Sequence, residues 1–164
     1  MRYQTILQAV KEVADSHKAN QSFVTGLESD IDVENAQYPL IFMPPPSFEE
    51  SENTQSLSSN TIWNLHIESQ ELLSTESTLQ QKNEALDRTR EILRDVYFKL
   101  VLNGMDSESI TFNNVTEVLD FTVTKSSPFS PFVDLGNNMT GWFVDFSIQE
   151  NNNNDLCNLS DVFA

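Results

Sequence analysis

Cysteine, glycine and basic residues are all scarce in this sequence. Its 164 residues include one cysteine, four glycines and nine lysines and arginines. A lone thiol, Cys157, can form neither an internal disulfide nor a cysteine pair for a metal, so the chain fits a reducing compartment. Four glycines leave little material for a phosphate-binding loop, and no GxGxxG, HExxH or CxxC motif occurs. These scarcities argue against nucleotide-binding enzymes, zinc enzymes and disulfide-stabilised domains.

Long apolar runs are absent too. No stretch approaches the roughly 20 apolar residues that span a bilayer. Residues 1–5 lead into a mixed polar pattern without the apolar core of a signal peptide. With 38% hydrophobic residues, among them eleven Phe, the chain can bury a core without staples. We expect a single α+β domain at 1–150, a flexible C-terminal tail at 151–164 and no membrane contact.

Acidic residues dominate the charge. The chain has 25 acidic and nine basic residues, and its formal net charge is −16. No Lys or Arg occurs between Lys18 and Lys82 or after Lys125, and five of the nine lie within 82–99. Affinity for nucleic acid comes mainly from Lys and Arg that neutralise phosphates. We therefore expect no sequence-specific binding of nucleic acid, and we expect protein partners or a solubilising role for the acidic surface.

Two segments have the three- and four-residue apolar spacing of amphipathic helices. The first, 3–19, carries an apolar stripe of Ile6, Val10, Val13 and either Ala14 or His17. The second, 77–103, carries a stripe of Leu79, Leu86, Leu93, Val96, Tyr97 and Leu100. Gly104 follows it where a helix C-terminal cap is expected. On its outer face, ion pairs are predicted for Glu84–Arg88, Glu91–Arg94 and Asp95–Lys99.

Five strands are predicted from alternating or compact apolar patterns. They span 23–27, 38–43, 61–73, 115–124 and 139–150. Pro39 has no N–H group, so the second strand should lie at a sheet edge or begin at Pro39. The Ser- and Glu-rich segment 47–59 is predicted to be a mobile loop, and 126–138 a long loop. This order indicates an α+β fold with a mostly antiparallel sheet of about five strands and two main helices packed on it.

No catalytic, cofactor-binding or metal-binding site is predicted. His66 lies on the polar face of its strand, where a surface or contact role is expected, and Cys157 has no evident base partner. The acidic segment 30–41 has Asn35 and Ile41 where a calcium-binding loop requires Gly and Glu. We expect no enzyme activity and no cofactor.

Apolar side chains in segments without a local core form the predicted contact set. They are Tyr38, Pro44, Phe129, Phe132, Leu156, Leu159 and Phe163. Loops that carry such residues commonly become ordered against a partner. Packing back onto their own domain is the equally weighted alternative. We expect the loops 28–36, 44–59 and 126–138 and the tail 155–164 to make contacts between subunits.

The order of elements resembles that of the small neck or tail-completion proteins of tailed bacteriophages, including crAss-like phages and their relatives. The resemblance covers most of the chain. Its most specific parts are the run Tyr-Pro-Leu-Ile-Phe-Met-Pro at 38–44 and the Thr-Gly-Trp-Phe strand at 140–143. It implies a tail-completion-like fold and a structural virion protein, assembled in the host cytoplasm.

Further expectations come from this resemblance. It implies a ring of six- or twelve-fold symmetry in the neck, head-tail connector or tail terminator, next to portal, neck or tail proteins. DNA would pass through an acidic lumen.

Two alternatives stay open: a small acidic adaptor or inhibitor that binds a basic host protein, and an enzyme with an unrecognised carboxylate site.

Overall fold

A computed structural model describes residues 1–27, 32, 35–53, 58–134, 136–151 and 154–155, with only the backbone at 51–53, 58–59 and 154–155. The helices are α1 (Tyr3–Ser16) and α2 (Leu79–Met105). The strands are β1 (Ser22–Thr25), β2 (Leu40–Met43), β3 (Ser47–Asn53), β4 (Ser58–Leu72), β5 (Glu108–Phe112), β6 (Val115–Leu119), β7 (Phe121–Ser126), β8 (Ser130–Asp134), β9 (Met139–Glu150) and β10 (Asn154–Asp155). The predicted α+β class with two helices on a mostly antiparallel sheet is confirmed. The predicted count of about five strands was too low.

Two long strands form the centre of the sheet. β4 and β9 pair antiparallel from Ile62 opposite Gln149 to Leu72 opposite Met139. Side chains along each strand point alternately to opposite faces. Trp63, Leu65 and Ile67 therefore share one face, which packs against the helices. The residues between them point to the face that the helices leave open.

Both central strands are bordered by interrupted edges. β2 and β3 pair with β4 on either side of the break at 44–46, which is three consecutive prolines. β7 and β8 pair with β9 on either side of the break at 127–129, which contains Pro128. Proline has no N–H to donate to a ladder, so each edge strand is divided at a proline. β1 joins β2 in parallel and β10 joins β4.

These edges correct two sequence predictions. The segment 47–59 was predicted to be a loop, but it contains β3 and the start of β4. The segment 126–138 was also predicted to be a loop, but it contains β8. Both strands lack a strong apolar pattern, and pairing with a long neighbour stabilises them. For β2, the sequence predicted either an edge position or a start at Pro39. The strand begins one residue after Pro39, close to the second prediction, and it is not an edge strand because it lies between β1 and β4.

A separate two-stranded ribbon follows α2. β5 and β6 pair antiparallel across Asn113 and Asn114, which both have positive φ. Such a two-residue turn matches the twist of a hairpin. Ile110 turns into the core, and Glu117 pairs with Arg2 beside α1. The predicted strand at 115–124 is therefore two strands, β6 and β7, and β5 was not predicted.

The core lies between the helices and one sheet face. α1 buries Ile6, Val10 and Val13 together with Ala14, as its periodicity predicts. α2 begins with a capping box formed by Thr78 and Gln81. The predicted stripe on α2 is buried from Leu93 to Leu100, whereas Leu79 is 74% exposed.

Gly104 has another role than the predicted cap. It lies inside α2, and a Cβ atom there would come within 2.4 Å of the Phe121 ring. The glycine therefore lets the helix approach β7 closely. Two of the three predicted ion pairs on the outer face involve residues with other close partners, because Arg88 pairs with Glu71 on β4 and Asp95 with His17.

Candidate functional site

A polar cleft of about 430 Å³ lies on the open face of the sheet. We call it the polar cleft. Its lining residues are Pro45, Ser47, Asn64, Leu65, His66, Lys125, Ser127, Asp145, Phe146 and Ser147. It lies where both edges are interrupted, because 44–46 borders β4 there and 127–129 borders β9. The proline breaks in the edge strands thus shape this depression.

His66 occupies the middle of the polar cleft between two carboxylates. Its Nδ1 lies 2.6 Å from Oδ1 of Asp145, the residue opposite on β9. Its Nε2 lies 2.8 Å from Oε1 of Glu68. The hydrogen bond to Glu68 raises the pKa of His66, burial opposes this, and the hydrogen bond to Asp145 raises it further. The arrangement favours an imidazolium that donates from both nitrogens.

Several other polar groups of the cleft also bond to one another. Ser147 Oγ donates to Asn64 Oδ1 at 2.6 Å. The backbone N–H of Asp145 donates to Ser127 Oγ at 3.0 Å, and the N–H of Ser127 donates to the Asp145 carbonyl oxygen at 2.8 Å. A general base needs a free acceptor within reach of the proton that it abstracts. Both ring nitrogens of His66 already have carboxylate partners, so the imidazole itself has no free acceptor nitrogen, and its bond to Asp145 links β4 to β9.

Metal binding has no support in the part of the chain that the structure describes. No group of three or more His, Cys, Asp or Glu side chains there has an arrangement that could hold a metal ion. Neither described helix is long and apolar enough to cross a membrane.

A second cleft, of about 390 Å³, lies on the helix face at the start of α2. We call it the α2 cleft. Its lining residues are Leu73, Ser74, Thr75, Leu79, Lys82, Asn83, Leu86, Val133, Asp134, Asn138, Met139 and Thr140. One wall is the first two turns of α2, and the other is the β8–β9 hairpin. Unlike the polar cleft, it exposes large apolar side chains, with Leu79 74% and Val133 64% accessible.

Two residues of the predicted contact set pack on their own domain. Phe129 is half-buried and its ring makes an edge-to-face contact with Tyr97, with centroids 5.4 Å apart. Phe132 is half-buried on β8, and its ring lies against Gly141 on β9. For these two phenylalanines, the alternative of packing onto their own domain describes the structure.

The other predicted contact residues do not converge on one surface. Tyr38 packs beside Leu40 and Phe42 on the open face, and burial, followed by the charge of Asp32, raises its pKa. Pro44 is half-buried at the end of β2. Leu156, Leu159 and Phe163 lie outside the described residues, as does most of the acidic segment 28–34.

Sequence reasoning missed the carboxylates around His66 and the whole α2 cleft. The two-residue spacing of His66 and Glu68 on one strand was a usable signal, since it places both on one face. Asp145 and Val133 could be found only from strand register. We compared the sequence with protein-family models and with curated proteins, and neither comparison gave a match.

Proposed function

We propose that this protein is a non-catalytic structural subunit that assembles with copies of itself into a ring. The supporting observation is the position of its exposed apolar side chains. Leu79 and Val133 lie at the start of α2, whereas Leu102 and Met105 are exposed in its last turn. At 1.5 Å per residue, Leu79 and Leu102 are about 35 Å apart along the helix.

Two separate apolar regions favour a head-to-tail contact. A two-fold dimer uses one self-complementary patch, whereas a ring needs two different patches on each subunit. Some of the exposed apolar side chains, Leu79 and Val133 on one side and Leu102 and Met105 on the other, lie at opposite ends of α2, as a head-to-tail contact requires. The internally paired polar cleft supports the non-catalytic part of the proposal.

The specific assembly is proposed from the sequence resemblance to phage neck and tail-completion proteins. On this proposal the protein is a virion component in the neck, head-tail connector or tail terminator, with portal or tail proteins as neighbours. A net charge of −16 suits a subunit next to packaged DNA, because like charge prevents adhesion.

Light scattering with electron micrographs of the same purified sample tests the assembly. We expect a closed ring of six or twelve subunits, alone or after addition of the portal or tail protein that adjoins it. A protein that remains monomeric over a wide concentration range and with each such partner contradicts the proposal.

The net charge favours one other function, that of an acidic adaptor or inhibitor. Such a protein would be monomeric or dimeric and would bind a basic host protein, and its binding would weaken steeply with added salt. A monomer that binds a basic target at low ionic strength and releases it at high ionic strength would support this function.

A further inference from the structure

We propose that the α2 cleft receives residues 156–164 of a neighbouring copy of the chain. This inference rests on the proposed self-assembly and identifies the contact that links one subunit to the next. It depends on three observations: the apolar character of the cleft, the composition of the segment, and the distance between the two in one subunit.

The α2 cleft exposes apolar side chains on both of its walls. Leu79 has the periodicity of the buried stripe of α2 but is 74% exposed, and Val133 on the opposite wall is 64% exposed. Both contribute side chains to a cavity of about 390 Å³. Two large aliphatic side chains on facing walls are suited to an apolar segment placed between them.

Residues 156–164 have the matching composition. Four of these nine residues are large and apolar, namely Leu156, Leu159, Val162 and Phe163. The charged residue among them is Asp161, and the cleft carries Lys82 beside the positive end of the α2 dipole. Asp134 also lines the cleft and stays anionic while its carboxylate accepts hydrogen bonds from the N–H groups of Gly136 and Asn137, so the match depends on the apolar side chains and not on charge.

The distance within one subunit excludes the chain's own segment. β10 ends at Asp155, where it pairs with Ser58 at the start of β4, whereas Leu73 at the other end of β4 lines the cleft. The 13 residue steps from Ser59 to Leu72 span about 43 Å at roughly 3.3 Å per residue. Nine fully extended residues reach at most about 32 Å. Residues 156–164 can therefore enter only the cleft of another copy.

A contact of this kind joins two different parts of the surface, because β10, which precedes the segment, lies near the end of β9, and the cleft lies near its beginning. Reciprocal exchange between two copies would give a two-fold dimer, seen as a covalent dimer without higher oligomers, whereas the proposed ring requires one-way donation from each copy to the next. Each copy would give a segment to one neighbour and accept one from the other, which closes into a ring when the rotation allows it.

The single cysteine makes the contact testable by disulfide trapping. Cys157 is the only thiol of the chain and lies within the segment. Val133→Cys and, separately, Leu79→Cys place a second thiol on either wall of the cleft in the full-length protein. Val118→Cys and Leu102→Cys are matched controls, since both residues are exposed to 51% and lie outside the cleft. Each variant is oxidised with copper-phenanthroline and analysed on non-reducing gels.

We expect V133C or L79C to give a ladder of covalent oligomers. A docked segment has a local concentration in the millimolar range, so at micromolar protein the ladder should form at least about tenfold faster than with V118C. A fast-migrating monomer with an internal disulfide overturns the inference, as does a ladder that forms equally with V118C or preferentially with L102C.

Light scattering of the unmodified protein separates this inference from the proposed function. If the unmodified protein forms rings but neither V133C nor L79C gives a ladder, the proposed contact is wrong and the proposed ring stands. A ladder from a protein that is monomeric in solution supports the contact and overturns the stable ring. Monomers without a ladder overturn both.

Discussion

The polar cleft and the α2 cleft are similar in size but opposite in chemistry. In the polar cleft, His66 bonds to both Asp145 and Glu68, so the partial burial of these charges is compensated within the subunit. In the α2 cleft, Leu79 on α2 and Val133 on β8 lie on opposite walls, and both side chains are exposed. A polar network whose hydrogen bonds are all made stabilises the domain that contains it. Exposed aliphatic side chains instead favour association, because the free energy falls when another apolar group covers them.

Aromatic residues that sequence places in a loop can pack on their own domain. Phe129 and Phe132 were predicted to lie in a loop, and both pack on strands or helices of their own domain. The position of each residue relative to the sheet, and not its loop context, decides whether it is available to a partner.

The largest effect is expected from Gly141→Ala, which should disrupt both clefts together. β9 borders both of them, and a Cβ at Gly141 would lie 1.9 Å from the carbonyl oxygen of Ser69 and 3.0 Å from the Phe132 ring. Because the nearer atom is backbone, β4 and β9 must separate. We expect a loss of about 3 kcal/mol or more in the free energy of unfolding, measured by urea denaturation.

Gly136→Ala is the matched control for that substitution. The nearest atom to a Cβ at Gly136 is the Asp134 carboxylate oxygen, at 3.5 Å, which is an ordinary contact. It should leave the free energy of unfolding within about 0.5 kcal/mol of the wild-type value. Equal losses from both alanine substitutions would contradict the close-approach argument.

Phe129→Ala should have the next largest effect. The ring is half-buried against Tyr97, so its removal should lower the free energy of unfolding by about 2 kcal/mol, less than for a fully buried Phe. Phe48→Ala removes a ring that is 59% exposed although it contacts Trp63, and should cost less. If Phe129→Ala instead left stability unchanged and reduced assembly, Phe129 would belong to a subunit contact.

His66→Gln should change the pH dependence of stability by a smaller amount. The pKa of His66 is raised in the folded state above the unfolded value of about 6.5, so its contribution is complete below about pH 6.5. That contribution disappears as pH rises through the raised folded pKa. The deficit of the variant relative to wild type should reach at most about 1 kcal/mol near pH 6 and shrink towards pH 9.

Urea denaturation across this pH range checks the sign. His17→Gln, which removes the other histidine and leaves the His66 pair intact, serves as the control. A deficit of His66→Gln that grows with pH would show that the carboxylates do not stabilise an imidazolium.

The smallest effect on folding is expected from the double variant Leu79→Ser, Val133→Ser. Both side chains are largely exposed, so the free energy of unfolding should change by no more than about 0.5 kcal/mol. The mass in solution should nevertheless fall, because the α2 cleft loses both aliphatic walls. Leu27→Ser, Val118→Ser is the control with the same chemical changes at exposed residues away from both ends of α2, and an equal drop in mass from it would remove the distinction between the sites.

Much of the fold was predictable from periodicity. The stripes of α1 and of the second half of α2 and the alternation of β4 and β9 each follow from one face being buried against the core. Leu79 shows the limit of this reasoning. Leu79 continues the apolar stripe in sequence, but at that turn of α2 the side chain borders the α2 cleft and remains exposed.

The candidate sites were less predictable than the fold. His66 and Glu68 could be placed on one strand face from their spacing, but Asp145 reaches them only through the register of β9 on β4. β3 and β8 have little pattern of their own, because pairing with a long central strand supplies the free energy that their side chains do not.

By itself, the sequence determined the α+β class, the two amphipathic helices, the long central strands and the acidic charge, because these depend on composition and on local periodicity. Only the tertiary structure decided that the strands meet in a register that encloses His66 between two carboxylates. It also decided that the start of α2 stands apart from the β8–β9 hairpin and leaves an apolar cleft. Both features join residues more than 50 positions apart, and no local pattern encodes how such residues meet.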